Sequence, residues 1–446
     1  MKRDQIDFRN AKIPALFRSI FLPTLLGMVC MSVMTMIDGA FVGHGVGSDG
    51  LAAVNIFCPL WLIMSGIGLM FGIGCSVVSS IHLSQNNLKA AHINVTQAFM
   101  AGTIALMVWL VTETFSETVA KALGASDRLL PYVLDYQRWL SRSFPAIFLQ
   151  SVGLMVIRLD GSPKYAMFCS SLPSIVNVVL DYVFLFIFHQ GLEGVAIATA
   201  IGCWTGGIMV IVYILFLRQT IRLYKIKASL TSLKLTVRNL NYQMRLGFSA
   251  MLGDLFIAVL MFVGNYVFLK YLKEDGVAAY SVACYIFPFI FMTGNAIAQS
   301  AQPIISFNYG AGSKERVKEA LTVALKVGLV SGMLVVLCTD FFIDFVVGIF
   351  VEAESNAAHI AKEGIPWLSI CFIPYILNVV LIGYHQSIEN AKQSTIYAFL
   401  RGFVLMIPCF LILPPLIGET GMWLAMPLSE LISLLLIVSV GWKWYV

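Results

Sequence analysis

The chain has 446 residues, of which 59% are hydrophobic and 12% charged, with a formal net charge of +5. A soluble domain carries about twice that charged fraction, so the composition excludes a water-soluble globular protein and points to an integral membrane protein. The positive balance does not make a nucleic-acid binder, because the cations punctuate apolar blocks, where they act as topology determinants.

Those blocks run to roughly 18–25 residues, the length that crosses a hydrocarbon core of about 30 Å as a helix. Transmembrane strands would instead alternate over about ten residues, and "GIMVIVYILFL" from Gly207 does not alternate. The opening "MKRDQIDFRNAKIPALFRS" is too long and mixed for a signal n-region, and no A-x-A site follows. The first segment is expected to stay as a signal anchor. Twelve spans are predicted, at about 15–41, 51–76, 93–113, 132–156, 165–188, 194–217, 245–269, 277–301, 317–339, 364–384, 395–417 and 421–442. Pro145, Pro173, Pro288, Pro374 and Pro408 fall inside spans, where kinks are expected.

Positive charge sets the orientation. Lys2, Arg3, Arg9, Lys12 and Arg18 gather at the N-terminus, and Lys89, Arg158 and Lys164 fall on the same side. So do the run from Arg218 to Arg245, then Lys314, Arg316, Lys318, Lys392 and Lys443. The opposite turns "HGVGSDG" and "DFFIDFVVGIFVEAE" hold no Lys or Arg. Both termini are therefore expected in the cytoplasm, with the chain multi-pass in the inner membrane of a prokaryote.

One long basic connector, 218–244, separates six spans from six and suggests a duplication. "SDGLAA" from Ser48 matches "EDGVAA" from Glu274; "GSPKYAM" from Gly161 matches "ENAKQST" from Glu389; "GLEGVAIA" from Gly191 matches "GETGMWLA" from Gly418. All three pairs recur at a spacing near 227. An even number of spans per repeat gives both halves the same orientation, so the expected fold is all-α: two six-helix lobes related by a pseudo-twofold along the membrane normal. The boundaries are an N-lobe at 1–217, the connector at 218–244 and a C-lobe at 245–446.

Ionisable residues inside spans are costly and usually functional. Span 1 carries Asp38; span 5 carries Asp181, with Asn177 one turn before it; span 6 carries Thr199. Counting back from the outer turns, these fall about 10–12 Å below the outer end. Two carboxylates, an amide and a hydroxyl at one depth form a set of hard oxygen donors. Two carboxylates in low dielectric cannot both stay charged without a cation, so the cluster wants a proton or a small hard cation such as Na⁺. The structural alternatives are that Asp38 caps or snorkels near a helix end and that Asp181 bonds to backbone. The second half lacks this cluster and holds Asp254 in span 7, Arg401 in span 11 and Glu430 in span 12. Arg401 is expected to pair with Asp254 or Glu430, as a structural pair, a proton site or a contact for a cationic substrate. The nine cysteines all lie in apolar blocks, so neither a metal cluster nor a disulfide framework is expected. Twenty Met and 31 Phe suit a cavity that repacks around varied apolar ligands, or equally a lipid-facing surface.

Several stretches resemble the multidrug and toxic compound extrusion (MATE) transporters. "DGAFVGHGVGSDGLAAVNI" looks like their first-helix signature, "IRLDGSPKYAM…NVVLDYVFLFIFHQGLEGVAIATAIG" like their fifth and sixth helices, and "SFNYGAGSKERVKEA" like their loop after helix 8. The resemblance covers essentially the whole chain. It implies a V-shaped pair of lobes around a central cavity, exporting amphiphilic, often cationic compounds against Na⁺ or H⁺. It also implies an N-lobe cation site at Asp38, Asn177, Asp181 and Thr199, with Tyr136 the nearest match to a fourth-helix Tyr found in some members. One branch adds acids in helices 7, 8 and 10. Here span 8 has none, span 10 has Asn378 and His385 instead, and Asp254 does not match the family position clearly, so the resemblance does not by itself imply a C-lobe cation site.

The expectation is a monomeric secondary antiporter for small drug-like substrates, with Na⁺ or H⁺ as coupling ion, no other cofactor and no catalytic residue. A lipid-linked oligosaccharide flippase on the related scaffold is the alternative, and a membrane enzyme the alternative of a different class. No P-loop, nucleophile elbow or zinc motif supports the last.

Overall fold

In a computed structural model, residues 6–350 and 354–445 are described. Lys2, Arg3, residues 351–353 and the side chain of Lys443 lie outside the described residues. Twelve helical spans emerge. The first six are α1 (Ile13–Gly45), α2 (Ser48–Ser84), α3 (Leu88–Thr114), α4 (Leu130–Ser141 with Phe144–Leu159), α5 (Pro163–Ile187) and α6 (Gly191–Leu217). The helical stretch Leu230–Gly310 is broken at Lys273, whose φ of 58° and ψ of −147° end one helix and begin the next, giving α7 (230–272) and α8 (274–310). The last four are α9 (Lys314–Phe341), α10 (Asn356–Ser369 with Phe372–Ser387), α11 (Ala391–Ile417) and α12 (Glu419–Tyr445).

Every predicted span is present, and the prolines explain two of the bends. The halves of α4 meet at 47° and those of α10 at 42°. Pro145 and Pro374 follow those breaks within a turn, where a missing N–H and a ring clash disfavour a straight helix. In α11 a π-helical turn, Leu400–Leu405, precedes Pro408. Pro173 and Pro288, by contrast, sit inside continuous helix. The connector also differs from its reading as a polar loop. Ser229 accepts a hydrogen bond from the Ser232 N–H at 3.1 Å and starts α7 fifteen residues earlier than expected.

The two largest clusters of buried side chains divide between the lobes. Val42, Phe57, Phe71, Tyr136, Phe148 and Leu192 belong to the first lobe. Phe256, Phe268, Phe291, Tyr375, Phe410 and Trp423 belong to the second, joined by Ile13, Leu16, Phe17 and Ile20 from the start of α1. The lobes touch most closely where α2 crosses α7. A Cβ on Gly247 would strike the Met70 carbonyl, and one on Gly74 the Gln243 carbonyl, so the two backbones meet with only hydrogens between them.

The same end of the bundle carries a polar latch. Ser76 Oγ donates to Gln302 Oε1 at 2.8 Å, Ser80 Oγ to the Pro303 carbonyl at 3.2 Å, and Arg158 Nη1 to Gln299 Oε1 at 2.8 Å. Arg158, counted from sequence as a topology charge, is only 3% exposed because the end of α4 lies beneath the other lobe. Next to it, Asp160 ties down the connector. It accepts from Tyr213 Oη at 2.8 Å and from the N–H groups of Gln219 (2.7 Å), Thr220 (2.8 Å) and Ile221 (2.8 Å). At the opposite end the polar contacts stay within a lobe: Arg128 with Asp49, Trp139 with Glu193, and Asn356 with Asp275. The lobes are thus drawn together at the connector end.

Candidate functional site

The polar residues picked out by depth converge inside the first lobe. Asp38 of α1 and Asp181 of α5 bring their carboxyl groups into contact. Asp181 is fully buried and Asp38 half-buried. Neither oxygen of Asp181, nor Oδ1 of Asp38, receives a hydrogen bond. No basic side chain among the described residues pairs with either acid. Asn177 Nδ2 donates to Thr199 Oγ1 at 3.1 Å, joining α5 to α6 beside the pair. Gly202 permits that approach, since a Cβ there would sit 3.0 Å from the Asn177 Cβ. Tyr136 of α4 lies close enough to feel the charge of both acids. Its ring meets Phe57 edge-on at 5.9 Å. Asp38 caps neither α1 nor α2, and no backbone donor reaches the Asp181 carboxyl.

A cavity of about 320 Å³ opens onto this cluster. Its polar lining includes Asp38, Asn177, Thr199 and Tyr136 together with Thr35, Ser65 and Gln150, and its apolar lining Met31, Met34, Phe57 and Trp61. Asp181 is not on the wall; it stands behind Asp38. The aromatic and Met lining was not assigned from sequence, because in an apolar helix a cavity-facing Phe57 looks like a lipid-facing Phe. The turn of the polar residues toward each other was the available signal.

In the second lobe Arg401 pairs with Glu430, Nε to Oε1 at 2.9 Å, and not with Asp254. Asn378 Nδ2 donates to the other Glu430 oxygen at 2.7 Å. The Arg401 guanidinium lies over Phe256 and Tyr375, 4.7 and 4.5 Å from their ring centroids. Asp254 is half-buried near Tyr375. The three second-lobe residues are therefore neighbours, but the ion pair is complete without Asp254. A small cavity of about 60 Å³ lies alongside, lined by Phe256, Gln299, Gln302, Tyr375, Gln386 and Arg401 among others.

The MatE family profile matches the chain twice, over residues 23–183 and 250–411. The chain belongs to the MatE family. The two matches begin 227 residues apart, the spacing of the internal repeats. Members of the MatE family are transporters, not enzymes. The multidrug export protein MepA of Staphylococcus saprophyticus is 24% identical over 421 residues, covering 93% of this chain and 90% of that protein. MepA of Staphylococcus aureus (strain NCTC 8325 / PS 47) is 23% identical over 442 residues, covering 96% and 94%. Among solved structures, the outward-facing conformation of a multidrug resistance MATE family transporter superposes with a TM-score of 0.91 at 19% identity, covering 100% of this chain and 99% of that one. A transporter of the same superfamily from Pyrococcus furiosus, described as having reversed binding-pocket polarity, gives a TM-score of 0.90 at 19% identity, with coverage of 100% and 99%. These likenesses fix the MatE fold as twelve helices in two lobes.

Proposed function

We propose that this MatE transporter is a secondary antiporter that exports amphiphilic, cationic drug-like compounds in exchange for Na⁺ or H⁺ bound between Asp38 and Asp181. The observation that carries the reading is the contact of two carboxylates deep in a span region with no basic partner. Such a pair cannot hold two charges in low dielectric unless a proton or cation lies between them. The two acids have different parts. Asp38 reaches the cavity and receives the ion; Asp181 lies behind and shares it; Asn177 and Thr199 fix the helix carrying Asp181 against α6. The Met and aromatic wall accepts apolar bodies of varied shape, and Asp38 at its edge favours a positive charge on them. Export and ion entry then exclude one another at a shared carboxylate. The drive comes from the difference in ion affinity between two lobe arrangements.

The lobes are assigned to 1–217 and 245–446 with 218–244 between them, and the protein works as a monomer with both termini in the cytoplasm of a bacterium. The latched connector end then faces the cytoplasm and the cavity is reached from outside. The flippase alternative draws no support, because Arg401, its one candidate for a pyrophosphate contact, is neutralised by Glu430.

The test uses vesicles holding the purified protein and a fluorescent organic cation, with a pH gradient and a Na⁺ gradient imposed separately. One of the gradients should drive transport by the wild type. Asp38→Asn and Asp181→Asn should each abolish it while the protein stays folded and monodisperse. Undiminished transport by both variants would end the proposal.

A further inference from the structure

Residues 218–245 contain Arg218, Arg222, Lys225, Lys227, Lys234, Arg238 and Arg245 and no Asp or Glu. Arg222, Lys225, Lys227, Lys234 and Arg238 are exposed. Cations on this side satisfy the topology rule wherever they sit in a polar loop. That rule does not account for what lies among them. Leu230, Leu233 and Val237 are 80%, 60% and 60% exposed, and their spacing of three and seven puts them on one stripe of a helix. Lys234 and Arg238 follow Leu233 and Val237 by one residue each and edge that stripe. Thr236 and Gln243, on the other face, are buried.

These residues are the first turns of α7, and their buried face is tied to α3. Thr236 Oγ1 accepts from Gln97 Nε2 at 3.0 Å, and Gln243 Nε2 donates to the Asn94 carbonyl at 3.1 Å. Asn239 Nδ2 also donates to Gln97 Oε1 at 3.1 Å, so the first turns of α7 are held to the start of α3 by three side chains. The segment before it is pinned to α3 as well: the Tyr224 N–H donates to Thr96 Oγ1 at 2.8 Å, and Lys89 lies over the Tyr224 ring at 5.8 Å. Leu215 and Phe216, at the end of α6, are likewise 49% and 74% exposed. An apolar stripe of this size facing water would be unfavourable. An apolar stripe edged by cations, on the first turns of a spanning helix, has the chemistry of an interfacial segment.

We infer that the connector is a docking site for the headgroups of anionic phospholipids. Leu230, Leu233 and Val237 enter the acyl boundary, and Arg222, Lys225, Lys227, Lys234 and Arg238 engage the phosphates.

The experiment is lipid titration of the full-length protein in detergent by native mass spectrometry, with phosphatidylglycerol and phosphatidylcholine of the same acyl chains. The wild type should bind phosphatidylglycerol several-fold better, and high salt should collapse that preference. Lys225→Gln/Lys227→Gln/Lys234→Gln/Arg238→Gln should bring the two lipids to parity. Leu230→Ser/Leu233→Ser should weaken both while keeping their ratio. A wild type with no preference, a preference that survives high salt, or a charge variant that retains it would each overturn the inference. The assay ignores which membrane face the connector occupies and does not involve Asp38, so its outcome is independent of the proposed antiport.

Discussion

Replacing Gly247 with Ala puts a methyl group against the Met70 carbonyl, carbon and Cα, all backbone atoms of α2. No side chain can swing aside to make room, so the helices must separate at their crossing. Overpacking of this kind costs about 1–3 kcal/mol. Here the cost falls only on the state in which the connector end is closed. The equilibrium between closed and open connector ends should therefore move by about 5- to 160-fold toward open. Spin labels on Gln85 and Lys392, both exposed at that end and on different lobes, read the separation by pulsed electron resonance in a cysteine-free background. The distance distribution should gain a longer component in Gly247→Ala, and Gly74→Ala should do the same through the Gln243 carbonyl. A distribution identical to the parent's in both folded variants would refute the view that this glycine crossing is where the lobes close.

Arg158→Ala removes a charged hydrogen bond to Gln299 and should shift the same label distance toward open by about 10- to 160-fold in population. Arg401→Met should lower thermal stability, because it leaves Glu430 buried without its cation at a cost of about 3–5 kcal/mol; Arg401→Met/Glu430→Gln, followed by the same melt, should recover most of the loss. Asp160→Ala strands three backbone donors on the connector, those of Gln219, Thr220 and Ile221, so limited trypsin digestion should cut sooner after Arg222, Lys225 and Lys227 than in the parent.

Much of the fold was readable because a bilayer leaves a chain few choices. Twelve apolar blocks, the bias of Lys and Arg to one side and repeats near 227 residues apart specify the spans and their pairing into halves. Depth counting from the turns at Gly45 and Gln190 was enough to bring Asp38, Asn177, Asp181 and Thr199 together, since helical rise is fixed. Contacts between lobes were not readable in this way. Gly74 and Gly247 are two of 35 glycines, and only the crossing of α2 over α7 singles them out. Arg158 reads as one more cation at a span end until the second lobe is seen to cover it. The choice of Glu430 over Asp254 as the partner of Arg401 depends on helix rotation, which a stripe of uniform apolarity does not encode. The early start of α7 was hidden because its Lys and Arg residues lowered the apolar count while keeping helix propensity high.

The most direct measurement is equilibrium ion binding by the purified protein, followed as ²²Na⁺ retention and as proton uptake from a weakly buffered solution. The wild type should take up one of the two ions, and Asp38→Asn and Asp181→Asn should each lose that uptake. Retention of the wild-type uptake by both variants would contradict the assignment of the coupling ion to this pair of acids.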